Sequence, residues 1–191
     1  MNHRFRHICP NASKLLTGVN NLGKFMRHAD KYSSDPSWLA GNWTADEYKG
    51  DALEALVEVL IKLSPIDKRI NIVEYRPHDN RADGRDMGID GYGLSHNGNL
   101  HTIQVKFRSN TQRDLTANED HISNFVAKTT SSPKYQNADM TIFTTAKDLN
   151  QKTNQDMYHE RVRVLGYRDL CKLLNDYTPF WNAFRSEMGV V

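Results

Sequence analysis

The 191-residue sequence has no long hydrophobic run, very few cysteines and no strong excess of charge of either sign. No apolar segment approaches the ~20 residues that a helix needs to cross a bilayer. The basic N-terminus is followed by no continuous apolar stretch of the kind that marks a secretory signal. We therefore expect a soluble protein with no membrane partner.

The cysteine content and the net charge indicate the compartment and the partners to expect. Cys9 and Cys171 are far apart and belong to no paired motif, which indicates ordinary thiols in a reducing, cytoplasmic compartment. The net charge of +2 permits a nucleic-acid partner without requiring one. The length allows one domain of ordinary size, and no internal repeat interrupts it.

The hydrophobic pattern predicts an alternation of helices and strands. Helices are expected where apolar residues recur at three- and four-residue spacings, and strands where short β-branched runs lie between turn signals. Asn97-Gly98 lies between two of the strands and is a strong signal for a hairpin. The expected elements are helices at 11–31 and 45–65, strands at 69–77, 87–95 and 99–109, a helix at 117–128, strands at 139–146 and 161–166, and a helix at 167–175. This order predicts a three-layer α/β fold around a mixed sheet.

One stretch carries polar residues in an otherwise apolar strand. Gln104 and Lys106 are two residues apart and therefore share a face, whereas Val105 points the other way. Asp90 lies one hairpin upstream, and Glu54 lies in the second helix. The Asp90 carboxylate, the Gln104 amide oxygen and the Val105 carbonyl suit a hard divalent cation, which Glu54 would reach directly or through water. Lys106 would orient or deprotonate the attacking water, or offset charge on a phosphate.

A tight hairpin would break this arrangement. With a two-residue loop at Asn97-Gly98, Asp90 would lie opposite Val105 and face away from Gln104 and Lys106. We therefore predict either a loop with an odd number of residues or a bulge between Asp90 and Gln104.

Three short runs resemble the PD-(D/E)xK nuclease superfamily, in the Gln-x-Lys subset typified by Mrr-like restriction endonucleases. They are GDALE around Glu54, GIDGYG around Asp90 and IQVKFRS around Lys106, and the resemblance extends over residues 47–175. It implies a three-layer restriction-endonuclease-like fold with a central mixed β-sheet flanked by helices. Two departures are the neutral Gln104 in place of a second acid, and Ile89 in place of a proline before Asp90.

The resemblance also implies a function. It predicts a Mg²⁺-dependent endonuclease that hydrolyses DNA, with Mn²⁺ as a substitute ion. The catalytic residues would be Glu54, Asp90, Gln104 and Lys106, and the metal ligands Asp90, Gln104, Val105 and Glu54. Residues 45–191 would form the nuclease-like domain, and residues 1–44 a helical extension. The expected partner is duplex or branched DNA, with a homodimer or a larger restriction or repair complex left open.

Basic residues near the site suit DNA phosphates. The candidates are Arg81, Arg85, Arg108 and Arg113. The alternative for each is a solvated surface residue.

Plainer interpretations stay open for several residues. Gln104 and Lys106 also suit an exposed strand face, and Glu54 an exposed helix position with Glu47 and Glu58 as substitutes. The aspartates at 79, 83 and 86 suit turns, and the aromatic residues Trp38, Trp43, Phe180 and Trp181 suit a core. The alternative functions are a catalytically silent nucleic-acid-binding or assembly module of nuclease fold, and a dimeric junction resolvase.

Overall fold

The computed structural model describes residues 11–35, 43–63, 70–77, 88–118, 121–156 and 161–190, together with residues 5, 9 and 37. The described elements are α1 (Ala12–Leu16), α2 (Leu22–Ser33), α3 (Ala45–Leu63), β1 (Glu74–Pro77), β2 (Gly91–Leu94), β3 (Leu100–Lys106), α4 (Ile122–Ser131), β4 (Asp139–Thr144), α5 (Gln151–Asp156), β5 (Val162–Leu165), α6 (Tyr167–Leu174) and α7 (Thr178–Glu187). None of these helices is long and apolar enough to span a bilayer.

The described strands form one mixed sheet in the order β1-β2-β3-β4-β5. The first three strands pair antiparallel, and β3, β4 and β5 pair parallel. Antiparallel neighbours need only a hairpin, whereas parallel neighbours need a crossover, which α4 and α5 supply. The predicted mixed sheet is therefore confirmed.

Helices cover both faces of the sheet. On one face, Ile103 and Val105 of β3 belong to a first core that includes residues of α1, α2, α3, α6 and α7. On the other face, Met140 and Ile142 of β4 belong to a second core with Ile122 and Phe125 of α4. The predicted three-layer α/β fold is confirmed, and β3 runs between the two cores.

The stretch 11–31, where one helix was predicted, contains the separate helices α1 and α2. Gly18 has a φ of +62°, in the left-handed region that favours glycine, so the chain leaves the helical path after α1. The side chain of Asn21 then accepts a hydrogen bond from the Lys24 backbone N–H (2.8 Å) and caps the start of α2. The apolar spacing alone could not show this interruption.

The N-terminal helices share the first core with the rest of the protein. Leu15, Leu16 and Phe25 are fully buried there beside residues of α3 and α7. The division at residue 44 stays a prediction, but these helices are packed onto the sheet-bearing part of the chain. Cys9 and Cys171 are both free thiols.

Two helices, α5 and α7, were not predicted. Helix α7 carries a proline in its first turn, which suits a helix start because that N–H has no helical partner. Its buried side chains Phe180, Trp181 and Phe184 form a clustered aromatic contact. The assignment of Phe180 and Trp181 to the core is confirmed, as is that of Trp43, whereas Trp38 lies outside the described residues.

Strand β1 is shorter than predicted. Ile70 and Ile72 are buried as expected, but Asn71 between them has a φ of +52° and interrupts the extended chain. Among the described residues, the strand that pairs with β2 is Glu74–Pro77, and Val73 N–H just before it donates to the Leu94 carbonyl (2.8 Å).

We predict that Gly93→Ala lowers the free energy of unfolding by about 1–3 kcal/mol, because an added Cβ would lie 2.0 Å from the Glu74 carbonyl oxygen, which belongs to the paired strand. Urea unfolding measures this. Gly50→Ala in α3 is the matched control. Nothing lies within 4 Å of the new Cβ there, so the variant should gain about 0.5–1 kcal/mol. Equal effects of both substitutions would contradict the packing of β1 on β2.

A second prediction concerns His101. Burial lowers the pKa of His101 below its ordinary value, and this effect outweighs the carboxylate of Asp139, 3.7 Å from Nε2. The unfolded chain therefore takes up this proton at a higher pH than the folded protein. His101→Gln should lose less stability than the parent when the pH falls from 7 to 5, as measured by urea unfolding at both values. A greater loss in the variant would show that Asp139 holds a charged imidazole.

Candidate functional site

The β2–β3 hairpin has an odd loop, as the site requires. Ser95 N–H donates to the Asn99 carbonyl (2.9 Å) and Gly98 N–H donates to the Ser95 carbonyl (3.0 Å), which leaves a three-residue loop between Ser95 and Asn99. Gly98 has a φ of +79°, the left-handed conformation typical of such loops. The pairing then places Gly91 opposite Ile103. The predicted offset is confirmed.

Asp90 lies directly beside Gln104. Its backbone N–H donates to the Ile103 carbonyl (2.9 Å), and its Oδ2 accepts from the Val105 backbone N–H (2.6 Å). These two hydrogen bonds attach Asp90 to Ile103 and Val105, the residues on either side of Gln104. Because Gly91 is also the partner of Ile103, two consecutive residues oppose one, which is a local bulge. The Asp90 carboxylate thus takes the place of a backbone carbonyl in the sheet.

Gln104 is fully buried, and its side chain has no hydrogen-bond partner among the described residues. Both Oε1 and Nε2 are buried without a partner. Gln104 is aligned with Ile142 of β4, so its side chain lies on the face of the second core. A buried polar group without a partner costs about 1–3 kcal/mol. An amide in this state is open to a partner beyond the described residues, such as a water molecule or an ion.

Lys106 ends β3 on the same face as Gln104. It is half-buried, and its carbonyl accepts from Thr144 Oγ1 (2.8 Å) and Thr145 N–H (3.2 Å). These bonds fix the backbone from which the ammonium group extends. Alternation along β3 therefore places Lys106 and Gln104 together, as predicted.

Glu54 lies on α3, which packs on the first core and thus against the opposite face from Gln104. The charges of Glu54 and Asp90 both act on the buried hydroxyl of Tyr75. Burial raises the pKa of Tyr75 well above its ordinary value, and these carboxylates raise it further. The structure therefore groups Glu54 with Asp90 around Tyr75. The helper role of Glu54 stays a prediction.

Two features of this site were missed from the sequence. Tyr75 donates a hydrogen bond to the Asp90 carbonyl (3.4 Å), and its ring fills the space where a Cβ on Gly91 would lie. Asp51, which was also missed, is buried on α3 and acts on Tyr75, as does the buried Glu58, which was predicted as a substitute for Glu54. The spacing of Asp51, Glu54 and Glu58 along an apolar helix gives one acidic stripe and was the available signal.

The structure describes two of the four arginines proposed for DNA contact. Arg108 is half-buried, its N–H donates to Thr145 Oγ1 (2.6 Å), and its Nη1 donates to the Phe107 carbonyl (2.7 Å). Arg113 is exposed in the following loop. Arg81 and Arg85 lie outside the described residues, as do the aspartates at 79, 83 and 86.

The described residues hold no group of three or more His, Cys, Asp or Glu side chains placed to bind a metal ion. A metal site built from the described residues would combine one or two acids with other oxygens, such as those of an amide or the backbone. The Gln104 Oε1 fits this need in its chemistry, because it is a buried amide oxygen without a partner among the described residues, on the residue next to the Val105 N–H that Asp90 accepts from. The donor set is thus compatible with a hard divalent cation.

A family model described as a restriction endonuclease matches residues 67–186. The match covers more than half of the chain and includes Asp90, Gln104 and Lys106, whereas Glu54 precedes it. The chain therefore belongs to this restriction endonuclease family, and the resemblance seen in the sequence is confirmed at that level.

Two solved structures are similar to the chain. The ATP-dependent Type ISP restriction-modification enzyme LlaBIII bound to DNA is 21% identical with a TM-score of 0.46, over 64% of this chain and 8% of that one. Protein VC1899 from Vibrio cholerae is 15% identical with a TM-score of 0.43, over 97% of this chain and 55% of that one. The chain thus spans a small part of the first protein and about half of the second. No curated protein matches the chain in sequence.

We predict that Gln104→Leu keeps or raises the free energy of unfolding in the absence of divalent ions, by up to about 1–2 kcal/mol, because it removes an unpartnered buried amide. Urea unfolding in EDTA measures this. Thr102→Val is the matched control on the same strand face. It leaves the Thr129 hydroxyl without its partner at 3.0 Å and should lose about 1 kcal/mol or more. A loss of stability in Gln104→Leu equal to that of the control would contradict the unpartnered state of Gln104.

Proposed function

We propose that the protein is a metal-dependent endonuclease that hydrolyses DNA phosphodiester bonds. The observation that supports this most directly is the fully buried Gln104 amide, unpartnered among the described residues and flanked by the two bonds that hold Asp90. A residue in this state costs stability unless it binds something. Membership of the restriction endonuclease family makes a divalent metal ion the natural ligand.

The proposed ligands are the Asp90 carboxylate, the Gln104 amide oxygen and the Val105 carbonyl, with Glu54 in direct contact or acting through water. Glu54 would approach from the opposite face of the sheet to Gln104, with Asp90 between them. All are oxygen donors, which suits Mg²⁺ or Mn²⁺. When bound, the ion supplies Lewis-acid stabilisation of charge on the phosphate and activates a water molecule. Because Gln104 is neutral, the set carries one negative charge fewer than two acids would, and the substrate phosphate gains importance as a further ligand.

Lys106 is proposed to stabilise charge or transfer a proton at the reacting phosphate. Its backbone is fixed by Thr144 and Thr145, so its ammonium group extends from a rigid strand end beside Gln104. There it orients or deprotonates the attacking water, or offsets the charge that develops on the phosphate. The same preorganisation is why a lysine at this position is worth more than a surface lysine.

DNA is the proposed substrate. Arg108 and Arg113 follow the catalytic strand within the next seven residues and suit phosphate contacts, as do Arg81 and Arg85. Such contacts position the duplex and carry no sequence information by themselves.

The decisive test is cleavage of supercoiled plasmid, linear duplex, single-stranded DNA and branched DNA by the purified protein in Mg²⁺, Mn²⁺ or EDTA. We expect cutting that needs a divalent ion and that falls by about 10²–10⁴-fold in Asp90→Ala and in Lys106→Ala. Lys152→Ala, which removes an exposed lysine of α5, is the matched control and should cut like the parent.

The outcomes separate the alternative functions. Binding of DNA without cutting, in the parent and in all variants alike, would contradict the proposal and favour a binding or assembly module. Metal-dependent cutting restricted to branched DNA by a dimer would favour a junction resolvase, since two strands then need two symmetric sites.

A further inference from the structure

Positive charge is distributed unevenly along the chain. Residues 1–44 contain six lysines and arginines and two aspartates, a net charge of +4, whereas residues 45–191 contain nineteen and twenty-one and have a net charge of −2. A protein that acts on DNA needs a cationic surface, because phosphate contacts supply most of its non-specific affinity. The nuclease-like part alone carries no such excess.

Part of this charge surrounds a cleft of about 500 Å³ on the N-terminal helices. The cleft is lined by Lys14, Thr17, His28, Lys31, Tyr32 and Asp35. Lys14 and Lys31 are exposed at its rim, and His28 and Tyr32 are half-buried. The cleft therefore combines cationic and hydroxyl side chains, the groups that contact phosphate oxygens in protein–DNA complexes.

The base of the cleft is built from fixed side chains. His28 Nδ1 lies 2.9 Å from the Leu15 carbonyl, which ties α2 to α1 and directs the other ring nitrogen away from that bond. The His28 and Tyr32 rings meet edge to face, with centroids 6.0 Å apart, and the Lys31 ammonium lies 5.4 Å from the Tyr32 ring centroid. Asp35 is the one acid among these lining residues, and it accepts hydrogen bonds from Ser37.

The helix that forms this cleft also contacts the catalytic strand. Asp30, the residue before Lys31, accepts a hydrogen bond from Ser109 Oγ (2.6 Å), and Ser109 follows Lys106 by three residues. Lys49 of α3 lies 3.8 Å from the same carboxylate. Asp30 lies on the other side of α2 from His28 and Tyr32, so the helix carries the cleft on one side and is attached to the chain just beyond β3 on the other.

We propose that the cleft between α1 and α2 binds DNA backbone phosphates and supplies part of the affinity of the protein for its substrate. This inference rests on DNA as the substrate under the proposed function. It assigns a role to the N-terminal segment: Lys14 and Lys31 neutralise duplex phosphates outside the proposed nuclease site.

The test is the salt dependence of duplex binding in EDTA, where cleavage is blocked. Fluorescence anisotropy with a labelled 20-base-pair duplex would be measured for the full chain and for the double variant Lys14→Ala/Lys31→Ala. The slope of log K against log salt should fall by about 1.8, since each lost phosphate contact contributes about 0.9. Lys14→Arg/Lys31→Arg should keep the parental slope.

The matched control removes the same charge elsewhere. Lys152→Ala/Lys172→Ala replaces two exposed lysines on α5 and α6 and should leave the slope unchanged. An unchanged slope in Lys14→Ala/Lys31→Ala, or an equal fall in the control, would overturn the assignment. Binding of ATP that depends on Lys14 and Lys31, without such dependence for the duplex, would overturn it in favour of a free nucleotide site.

The experiments can contradict the phosphate-binding cleft without contradicting the nuclease function, and the nuclease function without contradicting the cleft. If the parent binds duplex through Lys14 and Lys31 but cuts no DNA in Mg²⁺ or Mn²⁺, the phosphate site stands and the nuclease assignment fails. If the parent cuts DNA while the double variant binds like the parent, the nuclease assignment stands and the phosphate site fails. Thermal unfolding of each variant identifies any that fails to fold, and the arginine pair then provides the comparison.

Discussion

The arrangement at the centre of this protein depends on one hydrogen bond, in which the Asp90 carboxylate accepts from the backbone N–H of Val105. The Asp90 Oδ2 takes the place of a backbone carbonyl oxygen in the hydrogen-bonding pattern between the strands. The sheet therefore fixes the position of this carboxylate. A bond from a neutral donor to an ionised carboxylate is stronger than a bond between two neutral groups. The hairpin accommodates this because Gly91 has no side chain where the Tyr75 ring lies. The Asp90–Val105 hydrogen bond therefore depends on three features together: the offset of β2 on β3, the bulge and Gly91.

That constraint leaves polar groups buried on both faces of the sheet. The Gln104 amide lies toward the second core, and the carboxylates of Asp51, Glu54 and Glu58 lie on α3 toward the first. Each position would be filled more stably by an apolar side chain, since desolvating an amide or a carboxylate is unfavourable. Asp90, held in the plane between the strands, is near both groups. Buried amide and carboxylate groups that lower stability are thus concentrated around Asp90. Such a concentration is typical of a binding site and is not needed in a strand that only supports the fold.

The sequence allowed the order of the five strands and the side-chain direction along β3 to be predicted, because both follow from local periodicity. Either an odd hairpin loop or a bulge was predicted, since Asp90 and Gln104 could share a face only with one of these offsets, and the hairpin contains both. The break between α1 and α2 was not, because it depends on the conformation of Gly18 and the cap at Asn21. The face of the sheet on which α3 packs could not be predicted either, because it is set by contacts between residues distant in sequence. This face determines that Glu54 lies near Asp90 rather than near the Gln104 side chain.

The charge balance of the chain agrees with the proposed function. A divalent-ion site of the proposed kind needs acids, and Asp90 and the acids of α3 contribute to the net negative charge of residues 45–191. Acids close to a polyanionic substrate repel it, so an enzyme of this kind needs compensating cations outside the ligand set. Residues 1–44 carry that excess, and Asp30 attaches their second helix to the chain just beyond Lys106. The N-terminal helices thus suit the proposed phosphate-binding role, since they share the core with α3 and residues 1–44 hold the positive charge that residues 45–191 lack.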